Sequence, residues 1–334
     1  MSGPLLVKKR KTALGMRLMR VIGRIVKFAA LLFFACFLVF LALDVLPGNA
    51  ATQTLGFNGT TEQIEALAHR WGLDAPLLER FASWAAGVFS GDLGYVLSTG
   101  KPVVEALAGP LARTAVMFSI SLGATALLGV AFGTMAGLAS GRASDRIISS
   151  LSLVIRALPE FIIAILLMFL LATEFNLLPA VSLIPVGGDA FDDPSIFVLP
   201  IASMTLIGTS SVVRSARAVV QHENQSLHVE AARLAGVGEA RVVLRHVLPA
   251  CIAPIAQALA QVVPYLIGGA VIVESVFSFP GLGTMLVSAV MDREPNVLMA
   301  CALIMISASL VAFWVADSLG GGDHGEEELR QEAH

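Results

Sequence analysis

The sequence predicts an all-α, polytopic membrane protein with about six transmembrane helices, and two observations support this fold class. First, 56% of the 334 residues are apolar and only 14% are charged, whereas a soluble domain is roughly 45–50% apolar and about 25% charged. Second, the apolar residues fall in long runs, and a helix of about 20 residues crosses the roughly 30 Å of hydrocarbon in a bilayer. This composition excludes a soluble enzyme, a disordered chain and a disulfide scaffold.

Uncharged apolar runs locate the spans. Five of them are candidates for transmembrane helices: 28–43, 114–141, 194–213, 247–273 and 295–316. A sixth span is predicted over 147–173, where Arg156 and Glu160 interrupt the apolar run. We expect both charged residues to lie near the N-terminal end of this span, where long side chains reach the headgroups at little cost.

The Lys and Arg residues predict the orientation. If the N-terminus lies inside, the inner segments hold most of the 22 basic residues, and cytoplasmic loops of membrane proteins are enriched in Lys and Arg. Both termini are therefore predicted to be cytoplasmic. They comprise a basic segment over 1–27 and an acidic, Gly-rich tail over 319–334, for which we expect disorder. The transmembrane domain occupies 28–318.

Two segments are predicted to lie on the outer side. The first, 47–113, is a long loop with helix-like patterning, and the second, 276–296, is apolar and punctuated by Gly and Pro, as a re-entrant or interfacial segment would be. Few polar residues fall within the spans. Four carboxylates lie near predicted span ends, where we expect interfacial or capping roles: Asp44, Glu174, Glu274 and Asp317.

Small residues recur on one face of the second predicted span. Gly129, Gly133 and Gly137 are four residues apart and so share one helix face. This spacing lets two membrane helices approach closely, so it predicts helix packing and says nothing about a substrate site.

The inner segment between the fourth and fifth spans carries the most informative motif. It reads Glu230-Ala231-Ala232, three residues, Gly236, nine residues, and then His246-Val247-Leu248-Pro249. Small side chains let a short helix lie close against a partner, and Gly236 permits a tight turn out of that helix. Glu230 suits the positive end of the helix dipole, and Pro249 can open the next span because a first-turn proline loses no hydrogen bond.

This spacing resembles the EAA loop of bacterial ABC importer permeases, EAA-x3-G-x9-I-x-LP, with His246 at the Ile position. The resemblance implies the type I ABC importer permease fold, in which this segment, 214–248, docks as a coupling loop on an ATPase subunit. The residues that it assigns to ATPase coupling are Glu230, Ala231, Ala232, Arg233, Gly236, Arg245, His246, Leu248 and Pro249.

Further motifs narrow the resemblance to B-type permeases of the dipeptide/oligopeptide/nickel family. They include Leu46-Pro47-Gly48, Gly91-Asp92-Leu93-Gly94, and Arg214 and Arg217. The last outer segment carries a family motif whose residues are Glu274, Phe277, Pro280, Gly281 and Gly283. Together the similar stretches cover roughly residues 20–317 in order.

The resemblance also implies the partners. These are a second, C-type permease forming a heterodimer, two ABC ATPase subunits that bind ATP and Mg, and an extracytoplasmic solute-binding protein, in the plasma (inner) membrane of a bacterium. A net charge of −3 does not favour binding to nucleic acid. Peptide is the expected cargo, while nickel, a metal chelate or an opine stays open.

We expect no cofactor, catalytic residue or metal site in this chain. It lacks the Gly-x4-Gly-Lys-Ser/Thr phosphate cradle, so the ATPases must be separate subunits. Cys36, Cys251 and Cys301 lie in apolar stretches without metal-ligand spacing, which predicts buried free thiols.

Two other classes of membrane protein are alternatives. An ATP-independent secondary transporter or channel would carry ionisable residues at mid-membrane or inverted repeats, and neither is evident. An intramembrane enzyme would need a catalytic pair within the spans, but the six histidines lie outside the predicted membrane core.

Overall fold

The computed structural model describes residues 3–56, 59–185 and 188–331, and these residues are overwhelmingly helical. Within them the only β pairing is an isolated bridge between Tyr95 and Pro102. The α-helices are α1 Gly3–Val45, α2 Ala50–Leu55, α3 Thr61–Arg70, α4 Leu77–Ser90, α5 Val103–Leu138, α6 Ala143–Ala157, α7 Glu160–Leu167, α8 Ser195–Asn224, α9 Leu227–Leu234, α10 Glu239–Val242, α11 Leu248–Phe277, α12 Leu282–Met291 and α13 Pro295–Gln331. The all-α fold class is confirmed.

Five helical stretches of the described chain are long and apolar enough to cross a bilayer, as predicted. They are Ile25–Val45, Val103–Leu138, Ser195–Asn224, Glu239–Phe277 and Pro295–Leu319. The fourth of these joins α10 and α11 through a π-helical turn, Val243–Val247.

The sixth predicted span is broken. α6 and the helical stretch Glu160–Glu174 meet at an angle of 105°, so 147–173 does not form one straight helix. Pro159 has no backbone N–H and disfavours helical geometry in the residue before it. Leu158 accordingly adopts an extended conformation, with φ −85° and ψ 137°.

Two helix ends differ from the sequence prediction. α5 begins at Val103, within the segment predicted as the outer loop 47–113. α13 continues to Gln331, whereas the sequence predicts disorder over 319–334, of which 332–334 lie outside the described residues. Once a helix exists, each added residue gains a hydrogen bond without a new nucleation step, and Glu, Leu, Arg and Gln favour helix.

The glycine stripe of α5 packs against α8. A Cβ atom on Gly129 would lie 2.6 Å from Val212 Cβ, and one on Gly133 would lie 2.6 Å from Ala216 Cβ. Gly137 faces Val220 in the same way. The predicted close approach of two helices along this face is confirmed.

The end of the first predicted outer segment, 47–113, is hydrogen-bonded to the start of α13. Buried Glu294 accepts hydrogen bonds from the backbone N–H groups of Leu97 (2.9 Å) and Ser98 (2.8 Å). Asn296 Nδ2 donates to the carbonyl oxygen of Tyr95 at 2.8 Å. These contacts hold the turn that leads into α5 against the end of the molecule opposite the α8–α9 loop.

Candidate functional site

The short helix α9 is closed by the turn that the motif predicts. Gly236 has φ +81°, the left-handed conformation that glycine adopts without strain. Its N–H donates to the Arg233 carbonyl at 3.0 Å, and the Val237 N–H donates to the Ala232 carbonyl at 3.2 Å. This pair of bonds is a Schellman motif, which satisfies carbonyls at the helix end and turns the chain toward α10.

Arg233 forms hydrogen bonds with both helices that flank α9. Its Nη1 and Nη2 donate to the backbone oxygen (2.9 Å) and Oδ1 (2.6 Å) of Asn224 at the end of α8. Its Nε and Nη2 donate to the Glu239 carboxylate at 3.0 and 2.7 Å. The hydrogen bonds to that carboxylate raise the pKa of Arg233 above its usual range. One guanidinium group therefore joins the end of α8 to the start of α10.

One face of α9 is buried against the protein. Val229 is fully buried and belongs to an apolar cluster with Val220, Val242, Val247 and Cys251. Half-buried Ala232 packs against the same cluster. α9 therefore sits on α8 and on the inner end of the α10–α11 helix.

The opposite face of α9 has no partner among the residues that the structure describes. Leu227 and Leu234 are 84% and 83% exposed, and Glu230 and Ala231 are exposed beside them. These four residues are spaced i, i+3, i+4 and i+7, so they form one surface on the helix. Two largely exposed leucines on one face of a short helix are typical of a surface that another protein covers.

The remaining motif residues lie on the next helix. Arg245 and His246 fall in the π-helical turn, the first exposed and the second half-buried. Leu248 is half-buried and Pro249 exposed in the first turn of α11. Pro249 does not start the helical path, which begins at Glu239. The π-helical turn precedes it, and such turns absorb the irregular hydrogen bonding near a proline.

The loop also contains a side-chain contact that the motif does not predict. His228 Nε2 lies 3.1 Å from Glu223 Oε1, and the Ser226 hydroxyl lies 3.2 Å from the same oxygen. The His228 side chain is 55% exposed.

Asp145 and Arg217 form a contact between α6 and α8 that the sequence analysis missed. Asp145 is 3% exposed, and its carboxylate accepts two bonds from the Arg217 guanidinium, of which Nη2 to Oδ2 is 2.9 Å. The Gly141 N–H (2.9 Å) and the Ser149 hydroxyl (3.0 Å) complete its shell. A carboxylate in the first turn of a helix gives no sign in the sequence that its partner lies on another helix.

Glu274 organises the end of the bundle opposite the α9 loop. It is fully buried, and its carboxylate accepts hydrogen bonds from Thr114 Oγ1 (2.6 Å) and from the N–H groups of Gly283 (2.7 Å) and Thr284 (3.0 Å). Because those N–H groups belong to the first turn of α12, Glu274 caps this helix. The predicted capping role is confirmed for this carboxylate.

The other residues of the outer motif make room for that contact. A Cβ atom on Gly281 would overlap the Glu274 carboxylate, and one on Gly283 would lie 2.7 Å from Val271 Cα. The Pro280 carbonyl accepts a bond from Arg113 Nε at 2.7 Å, and Phe277 is fully buried. The motif thus builds a tight turn between α11 and α12.

Arg156 lies beside the middle of α8. Arg156 Nη1 donates to Ser211 Oγ, next to Val212, which faces Gly129. Gly129 lies close to the midpoint of the uncharged run 114–141, roughly 20 Å from either end at about 1.5 Å per residue. The bend at Pro159 leaves Arg156 exposed beside the middle of α8, which differs from the position predicted for it at the end of the span.

Within the part of the chain that the structure describes, no group of three or more His, Cys, Asp or Glu side chains could hold a metal ion. The three cysteines are buried and unpaired, as predicted.

Comparisons with known proteins agree with the motif. A model of the family described as "Binding-protein-dependent transport system inner membrane component" matches residues 129–321, and one for the N-terminal part of such components matches 16–105. The chain is 28% identical over 299 residues to the glutathione transport system permease protein GsiC of Escherichia coli (strain K12). The aligned region covers 90% of this chain and 95% of the relative.

The same values hold for the protein of that name from Shigella dysenteriae serotype 1 (strain Sd197). Among solved structures, the crystal structure of an amino acid ABC transporter with histidines matches with a TM-score of 0.46 and 20% identity, over 62% of this chain and 89% of that chain.

Proposed function

Because this chain belongs to the family of binding-protein-dependent transport system inner membrane components, and is therefore a permease subunit of an ABC importer, we propose that it carries small peptides across the bacterial inner membrane. As a permease it is a non-catalytic subunit that works with ATPase and solute-binding subunits. We infer further that it pairs with a second, C-type permease as a heterodimer. Two ATPases then bind ATP and Mg, and both termini of the permease face the cytoplasm.

The observation that carries the coupling role is the unpartnered face of α9. Leu227 and Leu234 stand out from the loop on either side of Glu230 and Ala231. A groove on an ATPase that takes this helix would bury both leucines, which gives the association its hydrophobic driving force.

Rigid attachment would let this helix transmit motion. Arg233 bonds α9 to both flanking helices, and the cluster around Val229 packs it on α8 and α11. A displacement of α9 by the closing ATPases would therefore move α8 and α11 rather than deform the loop. We propose that this movement switches the permease pair between inward-open and outward-open states.

Purification of the tagged chain from native membranes in mild detergent tests the proposed partners. We expect a second permease and ATPases to co-purify with ATPase activity. Leu234→Asp should reduce the bound ATPase by roughly tenfold or more, because it places a charge in the interface that would bury this leucine. Leu78→Asp on α4, where the leucine is 68% exposed, is the matched control and should leave the complex intact. A chain that purifies alone and moves solute in ATP-free vesicles would contradict the proposal.

The peptide cargo rests on the relatives named for glutathione transport. Uptake of labelled glutathione and of triglycine into proteoliposomes that hold the complex, its ATP and its binding protein measures it directly. Nickel, a metal chelate or an opine as cargo would appear as uptake of that solute without competition by either peptide.

A further inference from the structure

The bend between α6 and α7 carries two opposite charges between the two ends of the bundle. Arg156 ends α6 and reaches Ser211 near the midpoint of α8. Glu160 opens α7 and lies against Gly269, where a Cβ atom would be 2.6 Å from Glu160 Oε2. Gly269 is five residues from Glu274 along α11, so Glu160 lies roughly 8 Å from the level of Glu274 along the helix axis.

Neither charge is neutralised by a salt bridge in the part of the chain that the structure describes. Glu160 Oε2 is shut off from solvent and has no hydrogen-bond partner among those residues. The Tyr265 hydroxyl lies beside this carboxylate and near the charge of Arg156. Arg156 and Tyr265 are exposed on the surface of the single chain, with 47% of Tyr265 accessible.

The surface that carries Arg156, Glu160 and Tyr265 cannot face lipid. Exposed ionisable groups at mid-membrane face a bundle interior or a water-filled cavity, because hydrocarbon solvates neither charge. The helix break at Leu158 and Pro159 also indicates a cavity, since irregular backbone at membrane depth is tolerated where it lines one. This surface therefore faces the gap that a second permease would close.

We propose that Arg156, Glu160 and Tyr265 line the solute path and form a subsite for a zwitterionic solute, the carboxylate on Arg156 and the ammonium group on Glu160. The guanidinium offers a fork of donors to a carboxylate, and the negative charge of the half-buried Glu160 side chain attracts an ammonium group. A small peptide with free termini has both charges. This inference rests on the proposed permease function and deepens it.

Cysteine labelling tests whether the path runs here. The native cysteines are fully buried, so Arg156→Cys and Glu160→Cys can be probed in the assembled complex with water-soluble cationic and anionic methanethiosulfonate reagents. Both positions should react about tenfold faster or more than the control Ala164→Cys, since Ala164 is fully buried on α7. The Glu160 variant, which keeps Arg156, should prefer the anionic reagent, and the Arg156 variant should prefer the cationic one. Labelling as slow as the control would overturn the proposal.

Transport tests the ligand chemistry. Triglycine, triglycinamide and N-acetyltriglycine share one backbone and differ in the charge of their terminal groups. The same binding protein serves every variant, so a changed uptake ratio belongs to the permease. Arg156→Gln should lower the ratio of triglycine to triglycinamide uptake severalfold, and Glu160→Gln the ratio of triglycine to N-acetyltriglycine. Arg146→Gln, an exposed arginine on the same helix, should change neither ratio. Unchanged ratios in both test variants would refute the zwitterion subsite.

The two assays separate this inference from the proposed function. If the unmodified complex transports no triglycine, the peptide cargo is wrong, while labelling still decides whether the path passes Arg156 and Glu160. If peptides are transported but both engineered cysteines stay unreactive, the permease function stands and the subsite falls.

Discussion

At the scale of single residues, backbone conformation and side-chain exposure separate the roles within the inner motif. Gly236 is needed for its φ of +81°, since a Cβ atom there would meet nothing within 4 Å. Arg233 acts inside the loop through Asn224 and Glu239. Glu230 and Ala231 are exposed on the face that Leu227 and Leu234 share. The motif therefore combines residues that shape the loop with residues that display a surface.

Replacing Gly236 by valine should disrupt the loop without blocking membrane insertion. A β-branched residue at positive φ costs about 1–3 kcal/mol, so α9 should lose its fixed position. We expect ATP hydrolysis to become uncoupled from uptake in proteoliposomes, measured as solute transported per ATP.

Gly238→Ala is the matched control for this substitution. Gly238 has an ordinary φ of −64° and open space around its Cα, so the alanine variant should keep the unmodified ratio. Equal coupling in the Gly236→Val and Gly238→Ala variants would show that the turn is not needed.

At the scale of secondary-structure elements, α8 connects the inner loop with the rest of the bundle. Its last residue bonds Arg233, and Arg217 in its C-terminal half bonds Asp145 of α6. The same half packs along the glycine stripe of α5. α6 in turn ends at the bend that carries Arg156 and Glu160. A movement of α9 thus has a continuous route through packed helices to the bend.

Asp145→Asn should weaken the attachment of α6 to α8. Removing one partner of a buried ion pair costs about 3–5 kcal/mol, and part of that loss should appear as a lower melting temperature of the purified complex. Because α6 carries the bend, solute transport per ATP should fall as well.

Ser144→Ala provides the comparison for that effect, since Ser144 is the exposed neighbour of Asp145 on α6. A melting temperature and a coupling ratio unchanged by Asp145→Asn would show that the ion pair contributes to neither.

Gly133→Ala should push α5 and α8 apart. The added methyl group would lie 2.6 Å from Ala216 Cβ and 2.9 Å from the Val213 carbonyl oxygen, and overpacking typically costs about 1–3 kcal/mol. We expect a lower melting temperature than for Gly123→Ala on the same helix, where nothing lies within 4 Å. Equal melting temperatures would mean that the two helices adjust freely.

At the scale of the whole molecule, the polar contacts form two separated groups. The inner group comprises the α9 loop and the Asp145–Arg217 pair, and the outer group comprises Glu274, Glu294 and their partners. Between them lie the apolar lengths of the spans, interrupted by Arg156 and Glu160. This distribution suits a protein whose two ends meet different aqueous partners.

Thiol labelling at both ends of the molecule tests the predicted orientation. Lys101→Cys lies in the outer turn and Ala235→Cys in the α9 loop, and both parent residues are exposed. A membrane-impermeant thiol reagent applied to intact spheroplasts should label the first variant and spare the second, which should react only after lysis. The reverse pattern would invert the proposed topology.

Much of this protein can be predicted from its sequence because the signals are local or periodic. Span length follows from the thickness of hydrocarbon, so five spans are found where the uncharged runs predict them. The turn at Gly236 and the packing of the glycine stripe follow from the absence of a side chain at defined positions. The family follows from the spacing of the inner motif together with the outer segments.

Tertiary structure decides what depends on residues far apart in the chain. No local pattern shows that Asp145 meets Arg217 across 72 positions, or that Thr114 reaches Glu274 across 160. A single proline converts the sixth span into two helices at 105°, so that Arg156 lies beside the middle of α8 and Glu160 lies against Gly269. Apolar content determines that a segment enters the bilayer, but the depth and the partner of each charge depend on how the helices pack.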